Sequence, residues 1–106
     1  MEVIIKPSSK KDKKYDAVID GKKTVSFGAA GASDFTQHKN EARKQRYIDR
    51  HKEREDWTKG GIKTAGFYAK NVLWNKPSIR ESINDLNKNT KVLNLNSNKL
   101  NEVFYF

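Results

Sequence analysis

Hydrophobic and polar positions alternate most clearly near the start of the chain. Val3 to Ile5 is a short apolar run that reads as an edge strand. Tyr15, Ala17 and Ile19 alternate, as do Val25 and Phe27, on either side of Asp20-Gly21. Two β-rich segments around Asp-Gly predict a hairpin. A strict two-residue turn pairs odd with even positions and splits these residues between opposite faces. A three-residue loop ending at Gly21, with Gly21 left-handed in a bulge, gathers Tyr15, Ala17, Val25 and Phe27 on one face. That register is preferred because it makes a single buried face.

The period then lengthens. Asn40 to Glu55 has helical spacing, with Asn40 as N-cap and Glu41 suited to the first turn. Its apolar stripe is narrow, carried by Ala42, Tyr47 and Ile48 with His51 beyond, and its remaining surface is charged. Gly60-Gly61 breaks the chain. Ile62, Ala65, Ala69, Val72 and Leu73 recur at helical spacing, widened by Phe67, Tyr68 and Trp74, and predict the most buried helix. A further helix from Ile79 to about Asn87 starts in a Ser78–Glu81 capping box and aligns Ile79, Ile83 and Leu86. The pattern predicts an α+β fold: a short N-terminal β-hairpin packed on about three helices, with an extended C-terminal arm or strand. Residues 1–91 form one small basic domain, and 92–106 form an Asn-rich arm with an aromatic end. Tyr15, Val25, Phe27, Ile62, Ala69, Leu73 and Trp74 are the expected core.

Charge changes the picture more than length does. The chain of 106 residues carries 22 Lys and Arg against 13 Asp and Glu, a net charge of +9. The excess lies in residues 6–23, 37–56 and 58–91, while 92–106 are neutral. A balance of this sign implies an acidic partner: nucleic acid, an anionic protein surface or lipid headgroups. The candidate polyanion contacts are Lys10, Lys11, Lys13, Lys14, Arg43, Arg46, Arg50, Lys59, Lys63 and Lys70. Aromatics stand among them, and aromatics stack on unpaired bases, although at helical spacing they more often build core. Leu100, Val103, Phe104, Tyr105 and Phe106 form an apolar end that calls for a docking partner. Pairing with a neighbour's sheet is favoured over folding back, because the low apolar content leaves little surface at home to cover it.

Catalytic constellations are scarce. No cysteine exists to form a disulfide, ligate zinc or attack a substrate. His38 and His51 lack carboxylates at metal-ligand spacing. Asp34 near His38 reads as a cap of the following turn in preference to an acid–base pair. The small-residue loop Gly28-Ala29-Ala30-Gly31-Ala32-Ser33 matches no phosphate-cradling motif and instead permits a sharp turn or close backbone approach. The chain is therefore read as non-enzymatic, with no cofactor, metal or small-molecule substrate. It has no apolar run long enough to span a membrane and no signal-peptide h-region, so synthesis in the cell interior is expected.

The stretch from Tyr15 to about residue 84 has a distinctive joint pattern. Its blocks include Asp20-Gly21-Lys22-Lys23, Ser26-Phe27-Gly28, Ser33-Asp34-Phe35-Thr36, Arg46-Tyr47-Ile48, Glu55-Asp56-Trp57-Thr58-Lys59 and Leu73-Trp74-Asn75-Lys76-Pro77-Ser78. The pattern resembles an uncharacterised family of small basic proteins from large double-stranded DNA viruses of the nucleocytoplasmic type. The chain departs from it at Ala32, where an aromatic is expected, and at Tyr68-Ala69-Lys70-Asn71. The resemblance implies a viral origin and a place in the virion, and it carries no catalytic residues to transfer. The expected function is that of a structural protein of the virus particle, a minor capsid component bridging capsid subunits. The alternative is a basic, sequence-independent nucleic-acid-binding protein packaged with the genome.

Overall fold

The computed structural model describes residues 2–90, 94–95 and 102–105. Strands β1 (Glu2–Pro7), β2 (Lys13–Ile19) and β3 (Lys23–Ala29) form an antiparallel meander. Helices α1 (Phe35–His38), α2 (Glu41–His51), α3 (Ala65–Tyr68) and α4 (Ile79–Thr90) follow. Two short strands, β4 (Asn94–Leu95) and β5 (Glu102–Tyr105), complete a sheet of order β3-β2-β1-β5-β4. The fold is α+β as expected, but its N-terminal unit is a three-stranded sheet and not a hairpin alone.

The face expected for the hairpin is the one observed. Tyr15 pairs with Phe27 and Ala17 with Val25, and β1 extends the same face through Ile5 opposite Ala17 and Val3 opposite Ile19. The loop sits one residue later than expected, at Asp20-Gly21-Lys22, between the paired Ile19 and Lys23. Both Asp20 and Gly21 take left-handed φ, 53° and 67°. β1 fixes this position: Asp20 N–H donates to the Glu2 carbonyl at 2.8 Å, and its Oδ1 accepts from Glu2 N–H at 2.9 Å.

Val3, Ile5, Ala17, Ile19, Val25 and Phe27 form the inner face and pack against Phe67, Tyr68, Val72 and Leu73, with Ile83 and Leu86 of α4 closing the core. Of the seven residues expected inside, Val25, Phe27, Ile62 and Leu73 are buried, while Tyr15, Ala69 and Trp74 are half-buried. For Trp74 the cause is local. After α3 the helix widens into a π turn over Ala69–Leu73, and Trp74 N–H reaches both Ala69 O at 3.2 Å and Lys70 O at 3.3 Å. The extra residue rotates the later positions, so an ideal helical wheel misplaces them. Ile62 precedes this helix, which begins only at the Thr64 cap.

Ser78 caps α4 as predicted, its Oγ accepting from Glu81 N–H at 3.1 Å. The unforeseen element is α1, one turn capped by Asp34 in a capping box with Gln37. The C-terminal arm also departs from expectation. β5 pairs antiparallel with β1 of its own chain, Val3 opposite Phe104 and Ile5 opposite Glu102. β1 has β2 on one side only, so its other edge is a template for a returning strand. Leu100 and Phe106, also expected to dock, lie outside the described residues.

Candidate nucleic-acid interface

Helix α2 is built to display charge. Asn40 Oδ1 caps it by accepting from Arg43 N–H at 3.1 Å, Glu41 stands in its first turn, and Arg50 and His51 stand in its last. The acid at the start and the bases at the end each complement the helix dipole. At about 100° per residue, Lys44, Tyr47, Ile48 and His51 share one face, and these are the positions withdrawn from solvent. Arg43, Arg46 and Arg50 lie along the adjoining flank, all exposed. Glu41 falls on the other flank and Asp49 opposite the buried face, where Asp49 accepts from Gln45 at 3.0 Å and lies 3.9 Å from Lys52. None of the ion pairs among the described residues involves the three arginines. Asp49 is thus engaged by Gln45 and Lys52, away from Arg43, Arg46 and Arg50.

Aromatic rings hold α2 to the body. Tyr47 stacks on Trp74 with centroids 4.5 Å apart and planes 4° from parallel, and His51 lies 4.3 Å from Tyr47. His38 sits 5.3 Å from Trp74 and 6.2 Å from Phe35. Glu55 ties the end of the helix down, accepting from Trp57 Nε1 at 2.9 Å and meeting His51 Nδ1 at 3.0 Å. Lys44 Nζ donates to the Asn75 carbonyl at 2.6 Å and lies over the Phe35 ring. Burial, together with the Glu55 charge and against Arg50, pushes the Tyr47 phenol up to about 12, so it stays neutral.

Between α2, the end of β3 and the π turn lies a cleft of about 320 Å³. Gly28, Ala29 and Ala32 form one wall, Leu73 and Trp74 another, and Tyr47, Arg50 and His51 a third. The small-residue loop makes this space. Gly28 has φ 79°, and a Cβ there would stand 2.8 Å from Leu73 Cδ1. Lys14 and Asp34 also line the cleft, where Lys14 Nζ pairs with Asp34 Oδ2 at 2.5 Å and donates to Gln37 Oε1 at 2.9 Å. Asp34 acts as a cap, the role preferred for it over acid–base chemistry: its Oδ1 accepts from Thr36 N–H at 2.9 Å.

The predicted contacts therefore separate. Arg43, Arg46 and Arg50 form one stripe, and Lys14 meets its end at the cleft, but inward and neutralising Asp34. Lys10 and Lys11 are exposed on the β1–β2 turn, Lys13 is half-buried beside them, and Lys63 is exposed ahead of α3. Lys70 is half-buried with its ammonium 5.4 Å from the Trp57 ring centroid. Burial, then the neighbouring Lys44 charge, lower its pKa, with Asp85 opposing. It suits a polyanion less well than its charge alone implied. The Lys59 side chain lies outside the described residues. The cleft itself was not foreseen. Its signals were the spacing of Tyr47, His51 and Glu55 by four and the loop of small residues, and the link to Trp74 is purely tertiary. Among the described residues no three His, Asp or Glu side chains gather as a metal site, and no helix is long and apolar enough to cross a membrane.

Comparison with known proteins adds one finding. Residues 3–51 match the model of a family of unknown function, DUF5754. The match runs from β1 to the last residue of α2, so it contains strands β1 to β3 and the arginine stripe but not the π turn, α4, β4 or β5. No curated protein and no solved structure matches the chain.

Proposed function

We propose that this protein is a non-enzymatic, sequence-independent nucleic-acid-binding protein that tracks the phosphate backbone with α2, in the setting of a virus particle. The observation that carries this reading is the stripe of Arg43, Arg46 and Arg50, exposed and in no ion pair among the described residues. Arginine binds phosphate with a fork of donors, and a helix places such donors at a repeat a backbone can follow. The net charge of +9 adds long-range attraction. The particle setting rests on the resemblance to small viral proteins.

Binding to DNA should weaken steeply with salt, by about 0.9 in the slope of log K against log[salt] for each phosphate neutralised. Replacing Arg43, Arg46 and Arg50 together by Gln should lower that slope by about 2 to 3. Purified protein that ignores both DNA and RNA at low salt overturns the reading.

The capsid-bridging reading remains a second proposal. Within the chain β5 pairs with β1, so this reading rests on the resemblance to small viral proteins. Its structural support is the outer edge of β3, which ends the sheet and could receive a neighbour's strand. A proteome of purified particles separates the two: the protein would follow the genome-core fraction in the first reading and the shell fraction in the second.

A further inference from the structure

Resting on the reading of α2 as a phosphate-tracking helix, we propose that the cleft at the end of the arginine stripe accepts one unpaired nucleobase. The protein then prefers single strands to duplex.

The argument starts from chemistry and shape. A volume of about 320 Å³ is at the low end for small-molecule sites, suited to one ring system and too small for a larger ligand. Ala32, Leu73 and Trp74 offer apolar and aromatic walls, which any base can satisfy through its ring faces. Charged side chains line the cleft as well: Arg50 continues the stripe, and the buried Asp34 carboxylate is offset by Lys14. A phosphate held by Arg50 would leave its own base beside the cleft. His51 also lines it, with Nδ1 committed to Glu55. In a duplex the bases are stacked and paired, so a duplex can use the stripe but not the cleft.

The charge complementarity argues for this occupant. An apolar peptide side chain would fill the walls but gain nothing from Arg50, whereas a nucleotide uses both.

The test compares a twelve-residue oligothymidylate with a twelve-base-pair duplex at fixed salt, read by fluorescence anisotropy. Ala32 is exposed at the cleft, so Ala32→Leu fills the space from the rim. The expected result is about a tenfold loss of single-strand affinity, the scale of one lost base stack. Duplex affinity and its salt slope should not change. Arg43→Gln with Arg46→Gln should weaken both ligands. Equal affinities for the two ligands, or an Ala32→Leu protein that binds the single strand as before, overturn the cleft proposal while leaving the stripe reading intact. Absence of all binding overturns the stripe reading and the cleft with it. If Ala32→Leu does not fold, the Trp57→Phe protein decides, because Trp74 is then its sole tryptophan. Quenching by the oligothymidylate but not the duplex supports the cleft, and equal or absent quenching overturns it.

Discussion

Two layers of aromatic packing hold this chain together, and they differ in kind. Phe27, Phe67 and Tyr68 lie wholly inside, between the sheet and α3, with Tyr68 5.7 Å from Phe27 and 4.9 Å from Phe67. Tyr47, Trp74, His38 and His51 form the other layer, which reaches the surface and interleaves rings with Lys44 and Glu55. The first layer excludes water and carries the hydrophobic driving force. The second fastens a helix whose remaining faces stay charged. A chain only 35% hydrophobic has one dry core. It attaches its basic helix by ring stacking and hydrogen bonds, which leaves the arginines free for a partner.

The comparison breaks most sharply if the inner layer is cut. Phe27→Ala should cost about 3–5 kcal/mol and Leu73→Ala about 2–5 kcal/mol. Against a typical total of about 5–15 kcal/mol, either loss removes much of the stability. Urea denaturation should show both regions melting together at a lower midpoint. An unchanged midpoint for Leu73→Ala would mean that this side chain is not core.

How much of this was legible follows the same division. The sheet face was readable because strand periodicity is strict: one choice of register gathers Tyr15, Ala17, Val25 and Phe27, and the other scatters them. The caps at Asn40 and Ser78 were readable because capping is local chemistry. Trp74 was misplaced because the π turn shifts the helical period, and nothing in the apolar spacing marks where it inserts. Asp16 shows the same limit. It sits in an alternating strand, yet it is buried on the sheet's other side, accepting from Ser8 Oγ and Ser26 Oγ at 2.7 Å each. Among the basic candidates, Arg43, Arg46 and Arg50 are exposed on α2. The contacts of Lys14 with Asp34 and of Lys70 with Trp57 were not legible, because those partners lie far away in sequence.

Gly28 joins the two layers, so its substitution tests both at once. Its φ of 79° disfavours any L side chain, and Leu73 and Lys14 occupy the space a Cβ would need. Gly28→Ala should cost about 1–3 kcal/mol. It should also reshape the cleft that Gly28 lines. Thermal unfolding measures the first effect and single-strand affinity the second, and retention of both would mean that the loop yields without strain.

Cutting the outer layer alone should be milder and local. Tyr47→Leu keeps an apolar side chain but removes the stack on Trp74 and the contact with His51. The expected loss is about 1–2 kcal/mol, mostly the aromatic pairing. Hydrogen exchange should report it as lost protection in 41–51 with protection retained in β2 and β3. Uniform loss across both would show that α2 and the sheet unfold as one unit.

The smallest expected effect is a pH dependence that belongs to the outer layer. His38 Nδ1 accepts from Asn40 N–H at 2.9 Å, so the neutral ring carries its proton on Nε2. That atom is buried and has no partner among the described residues. Protonation would place a hydrogen on Nδ1 against the Asn40 N–H. Burial lowers the His38 pKa, the Arg43 charge lowers it further, and Asp34 only partly opposes them. The sign follows from linkage: the unfolded chain binds this proton more readily, so stability rises with pH in that window. The contribution is complete above the ordinary histidine range, declines as pH falls below about 6.5, and is gone below the lower folded value. Asp16 acts further down. Burial raises its pKa, but hydrogen bonds from Ser8, Ser26 and the Ser9 backbone outweigh that and hold it low. Its contribution therefore persists until pH falls through that lowered value. His38→Asn keeps an acceptor for Asn40 N–H and does not titrate. Melting temperatures taken from about pH 7 to about pH 5 should fall more steeply in the parent than in the variant, which retains His51. Parallel curves for the two proteins would show that His38 titrates without feeling the fold.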